Sequence, residues 1–193
     1  MSASLPVAVC GAGAAGLVAA LFAARAGRRV VLVERTADGG RKILISGGGR
    51  CNVLPSVLDE SRFVTDSSPH ALRRILRSWP LAEQRAFFER DLGVRLALEA
   101  ESGKLFPASN RARDVRDALV AAARAAGVAF RFDTEITDVR PGTDGGWQLG
   151  FAGGDSLDCS AVVLATGGLS VPKTGSDGTG LRLAARLGHV VHP

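Results

Sequence analysis

The first third of the chain alternates short, unbroken apolar runs with one longer helical stretch. The run VAVC, Val7–Cys10, stops at a glycine and predicts a buried strand. LVAALFAARAG, residues 17–27, predicts a helix closed by Gly27, and RVVLVE, residues 29–34, a second buried strand ending at Glu34. Strand, helix and strand in so short a span form a βαβ unit, which implies parallel pairing and a right-handed crossover. A long Gly-rich connection follows, residues 35–57; connections of that length in compact domains are mostly functional or disordered. Two helices are predicted near residues 70–78 and 81–91, separated by Pro80. VRLALEA, residues 94–100, alternates as a strand does, and GKLFP reads as a short strand running into a turn. ARDVRDALVAAARAAG, residues 112–127, has the period of an amphipathic helix and again ends on glycine.

Beyond it, VAFRF, EITDVR and WQLGF are three short strands punctuated by Gly-rich turns, and they suggest a small antiparallel meander. AVVLA, residues 161–165, predicts a last buried strand, and residues 181–187 a short closing helix. The pattern gives an α/β class: a Rossmann-like domain with a parallel sheet plus the meander. It contains no repeat and no linker, so a single domain over residues 1–193 is expected.

Composition narrows the classes further. With 193 residues and 46% hydrophobic content, the chain can build a core and is not of disordered type. Its longest helical apolar segment, residues 14–26, is interrupted by Arg25 and falls short of the roughly 18 residues that span a bilayer. It also lacks the basic start and cleavage site of a signal peptide, so a cytoplasmic protein with no membrane partner is expected. Cys10, Cys51 and Cys159 are widely spaced with no CxxC pair, which argues for reduced thiols and against a dithiol centre or a metal site. The net charge of +5 raises nucleic acid as a partner. However, all but three of the 24 basic residues are arginines scattered among acids. A solvated basic surface is the simpler reading.

The chemistry gathers at the glycines. In GAGAAG, Gly11 would turn the chain out of the strand, Gly13 let a diphosphate approach the backbone, and Gly16 allow close helix–strand packing. The N–H groups of Ala14 and Ala15 would open the helix toward that anion. Glu34 lies 23 residues past Gly11, close to the ~20 expected of the acid that binds ribose hydroxyls. A carboxylate there repels a 2′-phosphate, which favours FAD or NAD over NADP at this site; the alternative is an exposed strand-end charge. In KILISGGGRCN, Ile43, Leu44 and Ile45 would anchor the loop while Gly47, Gly48 and Gly49 wrap backbone amides around a ring or anion. Arg50 could meet a phosphate or a substrate oxyanion and is the one candidate for a catalytic role. Cys51 reads as a packed small residue rather than a redox thiol, since no second Cys or His lies near it in sequence. ATGG places Thr166, Gly167 and Gly168 at the carboxyl end of a strand, where open α/β sheets bind ligands. TGSDGTG adds Asp177 and further backbone donors, while His189 and His192 read as helix-end or surface groups.

Taken together, GAGAAG, Glu34, KILISGGGRCN, GKLFPAS, RDV, ATGGLSVPKTGSDGTG and LGH resemble the YhiN/BaiN-like family of NAD(P)/FAD-dependent oxidoreductases, within the two-dinucleotide-binding-domain flavoproteins. SGGGRCN is the most specific of these motifs, and together they cover nearly the whole chain. The resemblance implies FAD, with its AMP half on the first βαβ unit and Glu34 and Arg35 at the adenosine. It places Lys42, Ser46, Gly47, Gly48, Gly49, Arg50, Cys51 and Asn52 near the pyrophosphate and isoalloxazine. It puts an adenine contact at the backbone of Ile136 and closes Thr166, Gly167 and Gly168 over the cofactor. NAD(P)H is the implied reductant and a small organic molecule the implied acceptor. Two alternatives stay open: a non-catalytic or partner-dependent FAD-binding module, and an RNA-modifying flavoprotein relative. The chain departs from the family at VLPS, where many relatives carry a second Thr-Asn after GRCN. Relatives are also about twice as long, with an inserted, mostly β domain and a returning segment. The chain is therefore expected to be the N-terminal part, C-terminally incomplete, with the substrate site finished by further sequence or by a second chain.

Overall fold

The computed structural model describes residues 4–66, 68–143, 145–171 and 174–192. The chain packs as two compact units, residues 1–43 with 119–193 and residues 44–118.

The first unit is built on a four-stranded parallel sheet. Strand β1 (Val7–Cys10) is flanked by β2 (Val30–Val33) and β10 (Ala161–Leu164), and β6 (Ala129–Arg131) lies beyond β2. All three pairings are parallel, with Val7 opposite both Val30 and Ala161. Helix α1 (Ala14–Arg25) provides the β1-to-β2 crossover and buries Leu17, Ala20 and Leu21 against these strands. It starts three residues ahead of the predicted stretch, because Gly13, in extended conformation, caps it and draws Ala14, Ala15 and Gly16 into its first turn. Gly27 follows its end with φ 78°, the left-handed stop that the sequence predicted. Each fully buried leucine here contributes about 1.5–3 kcal/mol by leaving water.

A three-stranded antiparallel meander also belongs to this unit: β7 (Ile136–Pro141), β8 (Trp147–Phe151) and β9 (Ser156–Cys159). Its inward positions Ile136, Val139, Leu149, Phe151 and Cys159 join Ala8, Cys10 and Val33 of the sheet and Leu183 of α6 (Thr179–Arg186) in one core cluster. Two expectations are corrected here. VAFRF is not a meander strand but the outer parallel strand β6, with Val31 opposite Ala129. The long helix α5 (Ala112–Ala125) that precedes it is the crossover a parallel strand needs. The meander's third strand is instead SLDC, too polar to show as a strand in the sequence pattern. The last strand is also not fully buried: β10 is an edge, and Val163 and Leu164 are 37% and 36% exposed.

The second unit carries an antiparallel sheet ordered β3 (Leu54–Pro55), β5 (Lys104–Pro107), β4 (Leu96–Glu99). Leu54, Phe87, Val94, Leu96, Leu105 and Phe106 are buried in it. Helices α3 (Pro69–Arg77) and α4 (Leu81–Ala86) follow the two predicted helices. The second of these ends in a widened π turn, in which Leu92 donates to the carbonyl of Phe87. The Gly-rich connection over residues 35–57 holds α2 (Arg41–Ile45), a 3₁₀ turn over Ser46–Gly49 and the strand β3. Among the described residues no helix is long and apolar enough to cross a membrane.

Candidate functional site

Gly11 leaves β1 with φ 104°, and its N–H donates to the carbonyl of Val33 at 2.7 Å. A Cβ on Gly11 would meet the Ala165 carbonyl oxygen at 2.6 Å, so the turn after β1 lies against the end of β10. Gly16 has less room still, since a Cβ there would stand 1.8 Å from the Gly11 carbonyl oxygen. Gly13 differs from both: a Cβ would meet nothing within 4 Å. Two of the three glycines are therefore demanded by packing. The middle one borders open space at the start of α1, where Ala14 and Ala15 are exposed. The first hydrogen bond inside the helix is from Leu17 N–H to Gly13. The N–H groups of residues 14–16 thus have no partner within the helix and present its positive end to that space.

Glu34 sits at the end of β2 with its carboxylate already structured. It accepts from Ala12 N–H at 2.7 Å, from Thr36 N–H at 2.9 Å and from the Thr36 hydroxyl at 2.8 Å. An ionised carboxylate offers about four lone-pair directions, so three donors leave one for a ligand hydroxyl. The group is not the free strand-end charge of the alternative reading, because it ties β2 to the glycine turn. Thr36, Gly39 and Gly40 were not singled out from the sequence. Gly40 N–H donates to the Ala12 carbonyl at 2.9 Å, and a Cβ on Gly39 would meet the Ala12 Cβ at 2.7 Å. The Gly-Gly pair shortly after the predicted strand that ends at Glu34 was the available clue.

The end of β10 forms the opposite rim. The Thr166 hydroxyl accepts from Gly180 N–H at 3.0 Å, which satisfies one orphan donor of α6. Gly167, at φ 78°, packs on the Ser176 hydroxyl, which a Cβ would approach to 2.7 Å. Lys42 extends to the same rim and donates from Nζ to the Ser170 hydroxyl at 3.0 Å. Arg35 is engaged by protein: its Nη1 meets Asp177 Oδ2 at 2.6 Å. The other Asp177 oxygen accepts from the N–H and hydroxyl of Thr179 at 3.1 and 2.7 Å. The Thr179 hydroxyl and then the Arg35 guanidinium hold the Asp177 carboxyl well below the usual carboxylate range. The Ile136 side chain is buried in the meander core, which leaves only its backbone to face a ligand. Pro172 and Lys173 of the ATGGLSVPKTGSDGTG motif lie outside the described residues.

In the other unit, SGGGRCN forms a left-handed turn. Gly47 and Gly48 have φ 56° and 67°, ψ 33°, a conformation that a β-carbon resists. Cys51 continues it at φ 65° and donates its N–H to the Ser46 carbonyl at 2.9 Å. Burial pushes its thiol up, against a smaller opposing effect of the Ser46 hydroxyl, and a protonated buried thiol is a packed residue rather than a nucleophile. Arg50 lies 4.2 Å above the Phe106 ring, with Nη1 on Glu99 Oε1 at 2.6 Å. The sequence reading missed Glu99 as its partner. Asn52 is exposed. Of the three residues expected to anchor the loop, Ile43 is buried but Ile45 is 50% exposed, because α2 turns one side to solvent.

Known proteins resemble this chain in sequence and in fold. The Rossmann-domain profile of the HI0933-like proteins matches residues 5–193. The chain belongs to that family. This HI0933-like chain is 33% identical over 186 residues to the ribosomal RNA dihydrouridine synthase of Escherichia coli strain K12, covering 96% of itself and 45% of that protein. It is 31% identical over 189 residues to the 3-dehydro-bile acid delta(4,6)-reductase of Clostridium scindens, covering 97% of itself and 45% of that protein. It thus spans less than half the length of the curated relatives it matches. A flavocytochrome c3 fumarate reductase in open conformation shares the fold with a TM-score of 0.67 at 20% identity, over 96% of this chain and 41% of that one. The HI0933-like chain has the FAD-binding Rossmann-like fold that its motifs predicted, with two antiparallel sheets beside the parallel one.

Proposed function

We propose that this chain is the FAD-binding part of an oxidoreductase that passes hydride from NAD(P)H to an activated carbon–carbon double bond. The observation that carries this reading is the contrast within GAGAAG: Gly11 and Gly16 are closed by packing, while Gly13 faces open space beside the free N–H groups of α1. Such a cradle suits a diphosphate, and Glu34 keeps one acceptor direction for a ribose hydroxyl. The residues therefore fit FAD. When bound, FAD supplies the hydride relay between nicotinamide and acceptor.

The residues of the chain bind and orient. Ala14 and Ala15 N–H groups donate to diphosphate oxygens, with the helix dipole behind them. Glu34 selects an unphosphorylated ribose, since a 2′-phosphate would meet its charge. Thr166, Gly167 and Gly168 shape the rim at the end of β10. Arg50 offers an anionic acceptor the guanidinium N–H groups that Glu99 does not take, with the ion pair offsetting part of its charge. The names of both relatives denote reduction of carbon–carbon double bonds, which supports that class of acceptor.

A second reading has RNA uridine as the acceptor. It is favoured by two relatives named ribosomal RNA dihydrouridine synthase, at 33% and 28% identity. A single series tests both readings. The purified protein should be yellow or take up added FAD, and anaerobic NADH or NADPH should bleach it. Reoxidation by a conjugated enone supports a small acceptor, and reoxidation by unmodified ribosomal RNA alone supports the second reading. A protein that binds FAD but is bleached by neither nicotinamide is a binding module, and a colourless protein that takes up no FAD defeats the reading.

A further inference from the structure

Lys42 is a cation of the rim around the strand ends, and among the described residues it has a hydroxyl partner but no carboxylate one. Its neighbours close a ring. Gly40, two residues before it, donates to Ala12 in the glycine turn at 2.9 Å. Its Nζ reaches Ser170 Oγ at 3.0 Å, beyond the end of β10. A Cβ on Gly167 would stand 3.8 Å from that Nζ, and Thr166 next to Gly167 lies against Gly11. The ammonium thus sits on the same ring of backbone as the α1 N-terminus and Glu34, all three at the carboxyl ends of parallel strands. Among the described residues no carboxylate pairs with Lys42, whereas its neighbours Arg41 and Arg35 have Asp38 and Asp177. A long, flexible ammonium side chain that a neutral hydroxyl holds in place keeps its full charge for an incoming anion. Beside Ser170, the Val171 carbonyl accepts from Thr174, from its N–H at 3.0 Å and from its hydroxyl at 2.8 Å.

We propose that Ser170 is a positioning residue whose hydroxyl holds the Lys42 ammonium over the strand ends, where that ammonium recognises the diphosphate of the bound dinucleotide. This rests on the FAD-binding reading above, with Lys42 near the pyrophosphate as the resemblance implies, and adds to it the group that aims the ammonium. Ser170 contributes no charge and touches no ligand itself. Its effect passes through Lys42, and only toward a ligand carrying phosphate.

Calorimetric titration with FAD, ADP and adenosine tests this in the wild type, Ser170→Ala, Ser170→Thr, Lys42→Ala and the double variant Lys42→Ala/Ser170→Ala. Ser170→Ala should weaken FAD and ADP about three- to tenfold, the scale of one hydrogen bond to a charged group at a partly exposed site, and leave adenosine unchanged. Ser170→Thr should restore binding, and the double variant should lose no more than Lys42→Ala alone. Equal losses for ADP and adenosine, additive losses in the double variant, or wild-type affinity in Ser170→Ala would each overturn the proposal. A wild type that binds neither FAD nor ADP would instead defeat the dinucleotide reading on which it rests.

Discussion

Gly13 and Gly16 are three residues apart, yet a methyl group added to each should do opposite things. Gly16→Ala forces a Cβ to 1.8 Å from a backbone oxygen that cannot move aside, so it should cost at least the ~1–3 kcal/mol of an overpacked core and fold poorly. Gly13→Ala has free room and should cost only the ~0.5–1 kcal/mol of a poorer helix cap while abolishing FAD uptake. Thermal melting beside FAD titration separates the two, and loss of fold in Gly13→Ala would refute the assignment. The cysteines are a second residue-scale case. Burial, with a smaller contribution from Cys159, pushes Cys10 up to about 12, and burial, then the Asp158 charge, pushes Cys159 up to about 11. In the folded protein both stay protonated at pH 8, so a thiol reagent should find neither until denaturant is added. The unfolded thiols ionise above about pH 8.5, so stability should fall as pH rises from there toward the folded values.

At the scale of elements, the Arg35–Asp177 pair joins the end of β2 to the start of α6, and Asp177 also caps that helix through Thr179. Asp177→Ala should lower stability at neutral pH by about 1 kcal/mol, the scale of one cap and one exposed ion pair. The sign with pH follows from the depressed carboxyl. Its contribution is fully present above the unfolded value of about 3.9 and is lost as pH falls below that toward the folded value. Denaturant melts of wild type and variant should therefore separate at pH 7 and converge at low pH; a gap that persists in acid would mean that packing, not the carboxylate, is responsible. Elements also show where patterning succeeds. VAVC and RVVLVE were legible because strands of a parallel sheet are apolar on both faces. SLDC was not, because it packs only Leu157 and Cys159 inward.

For the whole molecule, ligand linkage gives the most direct check. If FAD binds the folded protein alone, a concentration 100 times Kd should add about 2.7 kcal/mol. That raises the melting temperature by roughly 5–11 °C for a chain of this size. ADP should give part of the shift through the α1 cradle. No shift with either ligand, in protein freed of flavin, would contradict the cofactor assignment.

The sequence by itself determined the α/β class, the first βαβ unit, the glycine cradle with its acid and the SGGGRCN turn. Each of these rests on local chemistry: an apolar run with one period, a backbone angle that only glycine adopts easily, an acid at a fixed spacing. Tertiary structure alone decided the rest. It moved VAFRF from the meander to the parallel sheet, since a three-residue strand carries no sign of its partner and only the α5 crossover selects one. It gave Glu34 its backbone donors and paired Arg35 with Asp177 across 142 positions, Arg50 with Glu99 across 49 and Lys42 with Ser170 across 128. Spacings that long leave no periodicity in the chain, because it is the sheet order and the crossovers, not the local sequence, that bring such residues together.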